Sequence, residues 1–271
     1  MNLGIVSIQR DRATWLTEWF AFHYLIGFRK FYFYAHHCKD NTAEILLKLS
    51  KKLDITSFII PDIMNRVQLK AYQHACDNFI NDVDWMAFID GDEFLFPTNT
   101  TTIQNVLSEY QTREDISALA VYSMTFGSSG HMKEPLGLIT ENYRYCNPNP
   151  SYRENRMVKS IVKGHQKVHV SECSHVFVTP KATIDELERP ITWGFMENNT
   201  PSYKKLQLNH YVCQSYEFFK NFKSTSGHAD CGSLAIRDED WWVARDRNDV
   251  FDSSLVNFYE KLHETIEWLN S

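Results

Sequence analysis

Three carboxylates fall within four residues at Asp90-Gly91-Asp92-Glu93, inside the apolar stretch DWMAFIDGDEFLF at 84–96. Two aspartates one residue apart can reach a single cation through one tight turn, and Gly91 between them leaves room for backbone or ligand to come close. Hard divalent cations such as Mg²⁺ or Mn²⁺ take oxygen ligands and often share them with a diphosphate. The alternative is a solvated acidic turn, because turns are naturally rich in Asp and Gly. Context separates the two readings. Apolar residues lead into the motif, and Phe94, Leu95 and Phe96 tie it back into the core. Of the eleven histidines, His36, His37, His74 and His228 read as surface or helix residues. His169 and His175 alternate with Val168, Val170, Val176 and Val178 as strand residues do, with His175 the better site candidate.

The elements that must position these groups are legible in the first 95 residues. Leu3–Ile8 is a short apolar strand. Residues 12–26 place Trp15, Leu16, Trp19, Phe20, Phe22 and Leu25 on one broad helical face, and Gly27 supplies the C-terminal cap. Phe31–Ala35 predicts a second strand, and Thr42–Leu53 a helix with Asn41 as N-cap. Ile55–Ile60 predicts a third strand stopped by Pro61, residues 66–80 a third helix, and Trp85–Ile89 a fourth strand. This alternation implies a mainly parallel sheet with helices on both faces. Ligands of such sheets gather at the carboxyl ends of the strands, where Asp90 falls.

The second half is less regular. Residues 117–124, 157–163 and Leu206–Val212 read as strands, 215–223 as helical, and Ser253–Leu269 as a closing helix. Residues 125–155 are rich in Gly, Ser, Asn and Pro and predict a long functional loop; 180–204 is a second irregular stretch. No internal repeat or domain boundary is visible, and 271 residues suit one α/β domain. A net charge of −6 without long runs of one sign gives nucleic acid no footprint. Six scattered cysteines form no CxxC pair, which argues for reduced thiols in a cytoplasmic protein. No apolar run reaches the roughly 18–20 residues that span a bilayer, and nothing at the N-terminus resembles a signal peptide. Peripheral contact at the inner face of a membrane stays open.

Taken in order, several blocks resemble glycosyltransferase family 92 and its bacterial, family 2-like relatives, which have the GT-A fold. Glu18-Trp19, His23 and Gly27 match the family's opening spacing, with Arg10-Asp11 where Asn-Glu is usual. Cys38-Lys39-Asp40-Asn41-Thr42 stands at a Ser-Thr-Asp-like turn, and Gln68 with Ala71-Tyr72 precedes the fourth strand. DWMAFIDGDEFLF is the clearest match. Lys159-Ser160-Ile161-Val162, the His169 to His175 region, and Asn209-His210-Tyr211 followed by Ser215 and Lys223 resemble the C-terminal blocks.

The resemblance implies a single GT-A domain over 1–271, with 1–96 the nucleotide-sugar half and 97–271 the acceptor half. It implies inverting, metal-dependent transfer of a sugar from a UDP-sugar, galactose first, to a glycan or glycolipid such as a bacterial surface polysaccharide or lipopolysaccharide. Asp92 would coordinate Mn²⁺ or Mg²⁺, Asp90 would contact the metal or the donor, and Glu93 would orient the turn. His210 would add a C-terminal metal ligand, since imidazole suits Mn²⁺ as oxygen does. Gln68 falls among the donor-side residues. Lys223 lies in KSTSG, resembling the family's Lys-x-x-Arg-Gly with Ser226 in place of Arg; Lys159 and Arg156 could hold phosphate instead. Arg10, Asp11 and Asp40 would lie near the nucleotide base. Inversion needs a general base, for which Glu197 and Asp230 are the candidates. Tyr143, Tyr145, Tyr152, Trp193, Tyr203, Trp241 and Trp242 suit either sugar stacking or core packing. Two other classes compete: a nucleotidyltransferase, which usually needs an N-terminal glycine-rich phosphate loop that is missing here, and a catalytically silent carbohydrate-binding scaffold.

Overall fold

A computed structural model of the protein describes residues 1–99, 102–225 and 237–271. Asp230, with Ser226, His228 and Cys231, lies outside the described residues. The first half follows the predicted alternation: β1 (Leu3–Gln9), α1 (Ala13–Ile26), β2 (Lys30–His36), α2 (Thr42–Leu49), β3 (Asp54–Ile60), α3 (Val67–Phe79) and β4 (Trp85–Phe88). β1 pairs in parallel with β2 and with β4, and β2 with β3. Side chains alternate across the sheet as the strand period requires. Leu3 and Ile5 enter the larger core with Trp19 and Phe20 of α1, whereas Val6 and Ile8 pack with Ala71 and Tyr72 of α3.

The second half contains β5 (Glu93–Pro97), α4 (Ile103–Gln111), β6 (Ile116–Thr125), α5 (Ile139–Asn142), β7 (Tyr145–Cys146) and β8 (Val158–Lys163). Then come β9 (His169–Val170), β10 (Phe177–Val178), β11 (Ala182–Asp185), β12 (Leu206–His210), α6 (Tyr216–Phe218), α7 (Glu239–Arg245), β13 (Val250–Phe251) and α8 (Tyr259–Asn270). The central sheet runs β3-β2-β1-β4-β8-β6-β12-β5, with β11 on β6. β8 is antiparallel to β4 and β6, and β5 is antiparallel to β12; the remaining pairs are parallel. This is the mainly parallel α/β sheet with flanking helices that the pattern predicts.

Two local expectations change, and two elements appear that were not expected. The second helix stops at Leu49, not Leu53, and Asn41 makes no side-chain cap bond. Asp40 does that work, accepting from Thr42 N and Thr42 Oγ1 and, through its other oxygen, from Ala13 N at 2.9 Å. Residues 93–97 form a strand and 103–111 a helix, neither of which the hydrophobic pattern singles out. Among the described residues the cysteines are free thiols, and no helix is long and apolar enough to cross a membrane.

β5 is the last strand of its path, and α1 covers its outer backbone groups. The Trp19 indole donates to Glu93 O at 3.1 Å, and Leu95 N donates to His23 Nε2 at 3.3 Å. The opposite ring nitrogen of His23 lies 2.8 Å from Trp19 O, which requires the Nδ1–H tautomer. Gly27 closes α1 at φ 124°, a left-handed value that favours glycine. The block that looks like a sequence signature therefore seals the edge of the strand that follows the carboxylates.

Candidate active site

A cavity of about 860 Å³ opens where β1 and β4 end, lined by Ile8 to Arg10 and Arg12 on one side and Asp90 to Glu93 on the other. The acidic turn is built from its own atoms. Glu93 Oε2 accepts from Asp90 N at 2.7 Å while Glu93 N donates to Asp90 O at 3.2 Å. A Cβ on Gly91 would lie 2.1 Å from Cδ of the buried Gln9, so this turn admits no side chain there without displacing Gln9. β12 pairs antiparallel with β5, setting His210 opposite Glu93, and Tyr211 N donates to Asp92 O at 2.9 Å.

Asp90 and Asp92 face different partners. Asp90 Oδ2 is 2.9 Å from Lys159 Nζ, and its Oδ1 accepts from Gln68 Nε2 at 2.5 Å and Tyr72 OH at 3.4 Å. Lys159, 2% exposed, also sits 3.7 Å from Glu93. It therefore balances the motif from behind and is not among the residues that line the cavity. Burial opposes its charge, but Asp90 and Glu93 hold it firmly protonated. Glu93 is pushed upward, by burial first and by Asp90, against the pull of Lys159.

Asp92 points towards the second half of the chain. Lys223 Nζ lies 2.5 Å from Asp92 Oδ2, and His210 Nε2 3.7 Å from Asp92 Oδ1. Burial would raise the Asp92 carboxyl, but Lys223, with Arg12 adding to it, holds it well below the usual range. Burial lowers His210 against the attraction of Asp92, which keeps the imidazole neutral and able to donate a lone pair. Lys223 ends a turn of π-helix at 219–223 that continues α6, whose N-cap Ser215 accepts from Phe218 N through Oγ at 3.0 Å. Such turns are frequent at functional sites.

The predicted site residues divide clearly. Arg10, Gln68, Asp90, Asp92, His210 and Lys223 line one cavity, as do His175 and Trp241. Asp11 lines a neighbouring hollow of about 280 Å³ with Arg10. Asp11, Cys38 and Asp40 bring ligand atoms within 4.8 Å of one another, but the carboxylates are already engaged by backbone N–H groups. Asp11 Oδ1 accepts from Lys39 N at 2.6 Å, and Asp40 is the exposed cap described above, away from the cavity. Glu197 is exposed and outside the cavity, its carbonyl taking the Arg156 guanidinium. Among the described residues, Glu154 is the one lining carboxylate outside the acidic turn. Arg245 holds it at 2.9 Å, with Arg153 at 3.6 Å.

Sequence reasoning missed Glu154 and Arg12. Glu154 sits in the polar run RENR, which carries no periodic signal. For Arg12 a signal existed. It occupies the N-cap of α1, whose first turn holds no acidic residue, although helix N-termini favour negative charge.

The sequence model of "Glycosyltransferase family 92" matches residues 5–243. A family 92 protein of Oryza sativa subsp. japonica is 24% identical over 280 residues, covering 96% of this chain and 44% of its own length. One from Ricinus communis is 22% identical over 290 residues, covering 98% and 49%. The chain thus spans less than half the length of these curated relatives. Among solved structures, S. aureus TarS in complex with UDP-GlcNAc aligns at a TM-score of 0.45 and 9% identity, over 90% of this chain and 64% of that one. That likeness is too distant to add weight; the family match rests on sequence, and the chain belongs to glycosyltransferase family 92.

Proposed function

We propose that the chain transfers a sugar from a UDP-sugar to a hydroxyl of a glycan or glycolipid, with a divalent cation at Asp92 and His210. The observation that carries this reading is the pair itself. A carboxylate and an imidazole, 3.7 Å apart at the strand ends of a large cavity, form an oxygen and nitrogen donor set. That set suits Mn²⁺ or Mg²⁺. A cation there supplies neutralisation of the charge on a departing diphosphate. Asp90 is held by Gln68 and Lys159, so its role is to orient the turn and accept from donor hydroxyls more than to ligate.

For the acceptor we assign the general base to Glu154 in place of Glu197. As the acceptor oxygen bonds to the anomeric carbon, its proton passes to the Glu154 carboxylate. The bond from that carbon to the diphosphate breaks, and its electron pair leaves with the diphosphate oxygen. Such a direct displacement inverts the anomeric centre. Arg245 fixes the Glu154 carboxylate, and Trp241 and Phe195, which also line the cavity, carry the guanidinium groups of Arg245 and Arg153 on their rings.

One contact favours a second reading. Lys223 already occupies Asp92 Oδ2 at 2.5 Å, so lysine could neutralise the leaving group without a metal. The test is hydrolysis and transfer across a panel of UDP-sugars, UDP-galactose first, with Mn²⁺ and with EDTA. Turnover lost in EDTA supports the metal reading, and turnover unchanged selects the lysine. UDP binding without turnover on any donor or acceptor favours a silent scaffold. Absence of both binding and turnover overturns the assignment.

A further inference from the structure

Arg12 breaks a local rule. It is a cation at the N-cap of α1, where the helix dipole disfavours positive charge, and it makes no side-chain cap bond. Its guanidinium stacks 4.3 Å from the Phe218 ring centroid and 5.2 Å from that of Trp15. These two aromatics fix the plane of the fork while leaving its N–H groups uncommitted. Nη1 is sealed from solvent and has no hydrogen-bond partner, and Arg12 forms no ion pair among the described residues. Asp92 first, then Glu134 and Asp11, attract it at longer range without an ion pair, and Lys223 already holds Asp92 at 2.5 Å. A desolvated donor without a partner is costly. Arg12 lines the same cavity as Asp92, His210 and Lys223.

We propose that Arg12 is an anion-binding residue of this cavity, its guanidinium donating from the side that lines the cavity to a phosphate oxygen of the bound nucleoside diphosphate. The assignment rests on the donor reading above and adds to it a guanidinium that the acidic motif does not reveal. Arg12 and Lys223 then approach the diphosphate from two elements, the start of α1 and the end of the π-turn. In the free protein burial opposes the Arg12 charge, and the negative charge of a bound diphosphate favours it.

The test is titration calorimetry of inorganic pyrophosphate, UDP and uridine, each with Mg²⁺, into wild type, Arg12→Met and Arg12→Lys, alongside thermal melting of each protein. Arg12→Met is expected to bind pyrophosphate and UDP at least ~10-fold more weakly, to leave uridine affinity unchanged, and to melt no lower than wild type. Arg12→Lys is expected to recover part of the pyrophosphate affinity. Equal pyrophosphate and UDP affinities in wild type and Arg12→Met overturn the assignment. So does Arg12→Lys that melts like wild type yet binds no better than Arg12→Met. Pyrophosphate binding that depends on Arg12, without UDP binding, supports Arg12 but refutes the nucleotide reading. If wild type binds neither ligand, both fall.

Discussion

Acidification is expected to weaken this fold through His23, a residue remote from solvent and from any ligand. His23 is fully buried, and burial pushes it from 6.5 down to about 3 against the hydrogen bond to Trp19 O. The folded chain thus refuses a proton that the unfolded chain accepts. The stability tied to this refusal is complete above about pH 6.5 and falls as pH drops towards 3, at up to about 1.4 kcal/mol per pH unit. At pH 5 the loss is about 2 kcal/mol, a large part of an ordinary domain's stability. The perturbation is His23→Gln, which keeps an acceptor for Leu95 N but cannot titrate. Urea unfolding at pH 7.5 and pH 5 measures the difference between wild type and variant at each pH, cancelling the other histidines. The variant is expected to be less stable at pH 7.5, by about 1–2 kcal/mol for the lost hydrogen bonds and packing. The gap should shrink by about 2 kcal/mol at pH 5. Parallel pH dependence of the two proteins would refute a neutral, Nδ1–H imidazole clamping the edge strand.

Other outcomes follow from the same geometry. Trp19→Phe removes the bond to Glu93 O and is expected to cost about 1 kcal/mol in urea unfolding, plus the packing of the lost ring. Gly91→Ala drives a methyl into Gln9, so donor affinity should fall, while Gly91→Ala combined with Gln9→Ala should recover part of it. Glu154→Gln is expected to lower the transfer rate ~10²- to 10⁴-fold with UDP affinity unchanged in calorimetry; a rate within threefold of wild type would remove Glu154 as the base.

The legible part of this molecule is the part in which local pattern and tertiary role agree. Apolar runs in β1, β2 and β4 read as strands because both faces of these strands are buried, and the carboxylates stand out because polar residues interrupt that run. Lys159 was legible as a charge but not as a counterion. Its sequence position cannot show that β8 lies beside β4 and carries the ammonium behind Asp90. β5 was hidden because its pairing partner, β12, lies more than a hundred residues later. Glu154 and Arg12 acquire meaning only when the 3₁₀ turn at 153–156 before β8 and the start of α1 meet over one cavity. Glu197, chosen for its place before His210, projects into solvent instead. The Glu18, Trp19, His23 and Gly27 block was recognisable by spacing, but its physical purpose needed coordinates. Glu18 accepts from Ile139 N, Thr140 N and Thr140 Oγ1 to hold α5, while Trp19 and His23 hold β5.

The most direct measurement of the central claim is calorimetric titration of UDP with Mn²⁺ into wild type and Asp92→Ala. Wild type is expected to bind UDP tightly only when Mn²⁺ is present, and Asp92→Ala is expected to lose that metal-dependent binding. Equal UDP affinity in the two proteins, with and without Mn²⁺, would contradict a cation held between Asp92 and His210.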